Sequence, residues 1–250
     1  MDNKYRQQIR DEFYNCVKRT IDRIKGTGTI RPFHQALLSE EVLLWSKFER
    51  SFSTSFGQRV IEEIAKIVAI SNGASDCSRQ KETIVELDSN TEEAIKMHIQ
   101  DLRSGITDNR DWNKAYSSII SVVPSGRKVD IRVISDLWWK KDGIDNYMSI
   151  KTVQPNIDQT AVAKDDCLKL KVNNPNCNVY FGLPYNPFGS ERKEYTFSPP
   201  YSIFDMQHDS VVLIGKDMWD TLGGAGCYEE ILEIARDVGK ETKELISKMV

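Results

Sequence analysis

Apolar residues recur at helical spacing from about residue 2 to 25, where Ile9, Phe13, Val17, Ile21 and Ile24 share one face and Gly26 and Gly28 close the run. The pattern predicts an amphipathic helix there, with further helices over residues 40–50, 58–69 and 91–103. Val60, Ile61, Ile64, Ala65, Ile67 and Val68 give the helix over 58–69 a wide apolar stripe, and Ser71-Asn72-Gly73 stops it. From Asn72 to Asn90 the chain is polar and reads as a loop. After Gly105 the character changes. Residues 116–123 form an apolar run that reads as a strand, and Val129, Ile131 and Val133 then alternate with Asp130 and Arg132. Lys140-Lys141-Asp142-Gly143 supplies turn chemistry and residues 147–152 resume an extended pattern, so the two runs predict a hairpin. A helix near 158–170, short buried strands at 179–183 and 211–215, and a terminal helix over 229–249 follow. This order predicts an α/β (α+β) fold with a central mixed β-sheet flanked by helices. Residues 1–110 read as a mainly helical region, 111–224 as the sheet-bearing core and 225–250 as a C-terminal helix, together one domain.

The 250 residues, 40% of them hydrophobic and 28% charged, suffice to bury a sizeable core. No apolar run approaches the roughly twenty residues of a membrane span, and the first residues are polar, so a cytoplasmic protein without membrane contact is expected. The cysteines, Cys16, Cys77, Cys167, Cys177 and Cys227, are scattered and odd in number, which disfavours a disulfide framework or a structural zinc site. His34, His98 and His208 are too far apart in sequence to suggest histidine chemistry. A net charge of −3 argues against nonspecific coating of nucleic acid. Its distribution is more telling. Arg127, Lys128, Arg132, Lys140, Lys141 and Lys151 crowd the hairpin, Lys164, Lys169 and Lys171 follow, and Arg192 and Lys193 come later. Each alone reads as a solvated surface residue; the group favours phosphate.

In an antiparallel pair the beginning of the first strand lies beside the end of the second, which predicts that Asp130 neighbours Lys151, with Ser149 on the same face as Lys151. A carboxylate and an ammonium so placed can hold a divalent cation and orient a water, as phosphodiester hydrolysis requires. The plainer reading is a surface salt bridge. The chain carries no G-x-x-x-x-G-K-[ST] phosphate loop, no G-x-S-x-G elbow and no H-E-x-x-H pair.

Asp130 followed by Ser149-Ile150-Lys151-Thr152-x-x-Pro155-Asn156 resembles the core of type II restriction endonucleases with the PD-(D/E)xK fold. Residues 181–189 (FGLPYNPFG), 213–220 (LIGKDMWD) and Leu222-Gly223-Gly224 extend the likeness, which is similar to the TdeIII type. Two departures stand out: Val129 precedes Asp130 where that fold usually has proline, and Ser149 stands where it usually has a carboxylate. The second removes a metal ligand. Two replacements are available, Glu62 (or its neighbour Glu63) on the apolar helix and Asp165 on the helix after Lys151.

The resemblance implies a sequence-specific endonuclease in which Asp130, Ser149, Lys151 and Glu62 are catalytic. Asp130, Glu62 and the Ile150 carbonyl would bind Mg²⁺, with Mn²⁺ as a substitute and Asp165 as the alternative acid. Lys151 would orient or deprotonate the water and offset charge on the phosphorane, leaving 5′-phosphate and 3′-hydroxyl ends. Arg127, Lys128, Gln154, Asn156, Gln159, Asn186, Arg192 and Lys193 are candidate contacts to double-stranded DNA. A short palindromic target, interrupted in the GGNCC manner, implies a homodimer joined through the N-terminal region, and a cognate DNA methyltransferase as a genetic companion. The runners-up are a structure-specific repair or junction nuclease of the same fold and a non-catalytic DNA-binding protein.

Overall fold

The computed structural model describes residues 1–25 and 31–247. Gly26 and Gly28, the expected stop of the first helix, and the last residues of the terminal helix lie outside them. The described helices are α1 (Asn3–Lys25), α2 (Pro32–Leu37), α3 (Glu40–Ser55), α4 (Ile61–Ser71), α5 (Ser89–Arg103), α6 (Trp112–Ile120), α7 (Ile157–Asn173), α8 (Lys216–Gly223) and α9 (Cys227–Ser247). A π-turn at Phe56–Val60 joins α3 to α4. The strands are β1 (Asp76–Asp88), β2 (Lys128–Lys141), β3 (Ile144–Ile150), β4 (Asn178–Leu183) and β5 (Val212–Ile214), forming one mixed sheet in the order β1-β2-β3-β4-β5. The β1–β2 and β2–β3 pairs are antiparallel; β3–β4 and β4–β5 are parallel. This is the α+β architecture that the alternation of periods predicts.

Side-chain alternation divides the apolar residues between two cores. Trp138, Tyr147, Val179 and Phe181 pack on one face with α5, α6 and α7; Leu137, Trp139, Met148 and Ile150 pack on the other with α1, α4, α8 and α9. The outer half of the β1–β2 ladder breaks this parity, because Val133 joins the first core whereas Leu137 joins the second. The change of face falls between them, at Asp136.

Two sequence expectations are corrected. Residues 76–88, read as loop, form the edge strand β1, whose Glu82, Ile84 and Glu86 face solvent while Val85 and Leu87 are buried. An edge strand with one wet face reads as polar sequence. Residues 116–123, read as a strand, instead belong largely to α6, whose Trp112, Ala115 and Ile119 share one buried face. Its start is fixed by Asp111, which accepts from the Lys114 N–H at 2.8 Å.

Candidate active site at the splay of two strands

The hairpin turn sets the register of everything near it. Asp142 and Gly143 both have positive φ, 52° and 76°, the pairing that a two-residue Asp-Gly turn of type I′ demands. From that turn β2 and β3 pair as far as Leu137 opposite Met148, and then part. Beyond this point β3 stays with β4, where the Lys151 N–H donates to the Gly182 carbonyl at 3.0 Å. On the β2 side a side chain replaces the missing ladder. Asp136 Oδ2 accepts from the Ile150 N–H and from Lys151 Nζ, both at 2.8 Å, and from Ser149 Oγ at 3.4 Å. One carboxylate therefore holds the end of β3 and positions the lysine.

A second acid approaches from α4. Glu62 is half-buried, and Gln80 Nε2 donates to both of its oxygens at 3.1 Å and to Asp136 Oδ1 at 3.1 Å. Arg79 separates the two glutamates, donating to Glu63 at 2.5 Å and to Glu62 at 3.4 Å. Of the adjacent pair, it is Glu62 that meets the Asp136 cluster. Burial raises the Glu62 carboxyl above its ordinary range and the nearby Asp136 charge adds to this, while the hydrogen bond from Gln80 opposes both.

Asp130 does not join this group. It lies opposite Glu86 at the exposed end of β2, six positions before Asp136 and about 20 Å away along an extended strand. The expected Asp130–Lys151 pair is replaced by Asp136–Lys151, because β2 is 14 residues long and β3 only 7, so the start of β2 has β1 as its partner.

Residues 1–239 match the family described as HinfI, type II restriction endonuclease. The chain belongs to the HinfI family of type II restriction endonucleases. Its similarity to curated relatives runs nearly end to end. Type II restriction enzyme HgiCII of Herpetosiphon aurantiacus is 26% identical over 250 residues, covering 98% of this chain and 90% of the relative. Type II restriction enzyme HgiEI of the same organism is 26% identical over 253 residues with the same coverage, and HgiBI is 26% identical over 230 residues, 89% and 82% of the two chains. No solved structure matches. As a member of this family the chain is a type II site-specific deoxyribonuclease.

The remaining residues singled out in the sequence divide by what holds them in this restriction enzyme. Asp165 pairs with Lys169 at 2.5 Å and borders a cleft lined by Lys96 and Arg103 of α5. Its neighbour Asp166 feels the charges of Lys151 and Asp136. Asn156 and Gln159 form a reciprocal capping box at the start of α7, so their side-chain oxygens serve the helix end. Asn186 closes its own turn, accepting from Phe188 N–H and donating to the Glu191 carbonyl. Arg192 donates to the carbonyls of Met206 and Asp209, each at 2.7 Å. Local structure thus engages four of the candidate DNA contacts. Arg127, Lys128, Gln154 and Lys193 are exposed. The basic surface is also thinner than the sequence suggests: Arg132 and Lys128 pair with Glu82 and Glu86 across the ladder, and Lys171 Nζ donates to the carbonyls of Pro175 and Cys177. Among the described residues no helix is long and apolar enough to cross a membrane.

Burial raises the Asp166 carboxyl from 3.8 to about 6, the charge of Asp165 adding to the effect. A raised carboxyl pKa confers stability that is complete below the unfolded value and lost as pH climbs through about 6. Asp166→Asn removes that loss. The variant is expected to melt higher than the parent at pH 8, by roughly 2–4 °C for each kcal/mol relieved, and the advantage shrinks at pH 5. Thermal melts at the two pH values check it; an equal difference at both would show that Asp166 is not buried in its charged form.

Proposed function

We propose that this restriction endonuclease makes cation-dependent double-strand breaks at a short palindrome, using a PD-(D/E)xK-like site built from Asp136, Ser149-x-Lys151 and Glu62. The observation that carries the reading is the triple grip of Asp136 on Ile150, Ser149 and Lys151 where β2 and β3 diverge. It binds the motif residues of β3 to a carboxylate in the open mouth of the sheet. Asp136 takes the role that the sequence pattern gives to Asp130.

The donor set suits Mg²⁺. The acidic oxygens of Glu62 and Asp136 converge on one nitrogen of Gln80, a hydrogen-bond donor standing where a hard cation would be attracted. Among the described residues no three His, Cys, Asp or Glu side chains gather to hold a metal ion. Two carboxylates match Mg²⁺, which is commonly bound through one or two acids together with substrate phosphates and water. Glu62, Asp136 and the Ile150 carbonyl would hold it, with Mn²⁺ as a substitute. When bound, the cation polarises the scissile phosphate and lowers the pKa of water. Lys151, anchored at 2.8 Å from Asp136, is placed to orient the attacking water and to offset charge on the phosphorane. Ser149 contributes its hydroxyl to Asp136 rather than a charge to the cation.

Gln154 and Lys193 lie on adjoining exposed loops, joined by the bond from Tyr195 Oη to the Val153 carbonyl at 2.9 Å, and are the favoured DNA contacts beside the site. Arg127 and Lys128 would meet the phosphates further along β2. A palindrome read on both strands calls for a two-fold homodimer. Phe33 and Leu37 of α2, 82% and 81% exposed, offer an apolar patch for the second copy. The target is a short palindrome of the interrupted GGNCC kind, following the TdeIII likeness.

Digestion of a plasmid of known sequence tests the reading. With Mg²⁺ it should give discrete fragments bearing 5′-phosphate ends, and with a chelator none. Lys151→Ala should lose cleavage while retaining DNA binding. Smearing, nicking confined to branched DNA, or unimpaired cutting by Lys151→Ala would each refute it.

A further inference from the structure

Gln80 has two peculiarities. Its φ is +49° in the middle of a strand, a left-handed conformation uncommon for any residue with a side chain. The other described non-glycine residue with positive φ, Asp142, is explained by its turn. Gln80 has no turn to explain it. It lies between the register pairs Arg79–Leu137 and Lys81–Ser135, hence across from Asp136, at the point where the β1–β2 ladder changes face. Strand irregularities of this kind redirect a side chain. Here the redirected carboxamide reaches α4 and β2 together, making three contacts of 3.1 Å to carboxylate oxygens.

We propose that Gln80 is the third side-chain ligand of the cation site, a neutral one beside Glu62, Asp136 and the Ile150 carbonyl. Its Nε2 holds Glu62 and Asp136 together while no cation is bound, and its Oε1 turns to the cation when one enters. The inference rests on the catalytic reading of Asp136 and Glu62 given above. A carboxamide carries both a donor and an acceptor, and the terminal torsion that exchanges them has a broad, roughly two-fold profile. Facing two carboxylates, only the NH₂ orientation is attractive; facing a divalent cation, only the carbonyl is. The exchange also answers the substitution at Ser149, where the missing acid would otherwise leave the cation with two protein side chains. Without Gln80 no donor would bridge Asp136 and Glu62, each then being held only from its far side, by Lys151 and by Arg79.

Three variants of the full chain, titrated with Mn²⁺ by calorimetry in the absence of DNA, separate this role from that of a structural hydrogen bond. Gln80→Glu supplies a third carboxylate: cation binding should tighten about tenfold, and the melting temperature in EDTA should fall. Gln80→Lys fixes an ammonium where the cation belongs, so cation binding should be lost while the EDTA melting temperature is kept. Gln80→Met, matched in length but without donor or acceptor, should weaken binding about tenfold and serves if Gln80→Glu fails to fold. Unchanged cation affinity in all foldable variants, or shifts of the same sign in Gln80→Glu and Gln80→Lys, would overturn the proposal, as would a parent protein that takes up no Mn²⁺. Lys151→Ala distinguishes the two levels. Loss of its cleavage beside unaltered cation affinity in the Gln80 variants removes only the Gln80 role; retained cleavage by Lys151→Ala removes the catalytic reading itself.

Discussion

Asp136→Ala is expected to lower the single-turnover rate of DNA cleavage by about a thousandfold or more, whereas Asp130→Ala leaves it unchanged. The size follows from the proposed site, in which Asp136 would be one of two acids for a cation, and from its hold on both the lysine and the backbone of Ile150. Losing a cation ligand and misplacing a charge-stabilising group each cost on the order of 10²-fold or more. Asp136→Asn separates chemistry from structure. Its amide oxygen still accepts from Ile150, so it should lose the same activity with little change in melting temperature, and gel-shift assays should show DNA binding retained in both. Asp130 faces solvent beside Glu86 about 20 Å along the strand, where its removal eases repulsion and touches no reacting group. An inactive Asp130→Ala beside an active Asp136→Ala would reverse the assignment.

The contrast between those two aspartates shows how much of the site the sequence held. The hairpin and the helix bearing Glu62 were legible from local pattern, whereas the weight given to Lys151 and to a serine in place of an acid came from the family resemblance. The partner carboxylate was legible too, but only by counting from the turn. An Asp-Gly hairpin pairs Lys141 with Ile144, as observed, and continuing that register puts Ile134 level with Lys151, which brings Asp136 closer than Asp130. Matching the strands by their starts assumed equal lengths, and β2 is twice as long as β3 because it has a second partner, β1. That partner was hidden. An edge strand exposing Glu82, Ile84 and Glu86 gives a polar sequence like a loop's, and with β1 went Gln80 and Arg79, which order Glu62 and Glu63. Base-reading candidates were the least legible of all. Asn156, Gln159 and Asn186 are the residue types that cap helices and close turns, and here they do so.

Lys164, which sequence places in the basic group favouring phosphate, is fully buried in the first core, and Lys164→Ala is expected to destabilise the fold by about 3 kcal/mol. Its Nζ donates to the carbonyls of Arg110 at 2.5 Å and Ile203 at 2.8 Å and sits 5.2 Å from the centre of the Phe204 ring. It thereby ties α7 to the segments before α6 and after β4. Alanine leaves a cavity and two carbonyls without a donor; each orphaned buried acceptor costs about 1–3 kcal/mol, offset in part by no longer burying a charge. Lys164→Met fills most of the space and should cost less. The pH dependence identifies the cause. Burial lowers the ammonium from 10.5 to about 8, so between those values the unfolded chain binds the proton that the folded chain has released. Stability contributed by this site therefore rises as pH climbs from about 8 towards 10.5, the lost charge no longer being held out of water while the neutral amine still donates. Urea denaturation at pH 7.5 and 9.5 should show this gain in the parent and its absence in Lys164→Met. A Lys164→Ala protein as stable as the parent at pH 7.5, or one with weakened DNA binding and an intact fold, would return Lys164 to the surface.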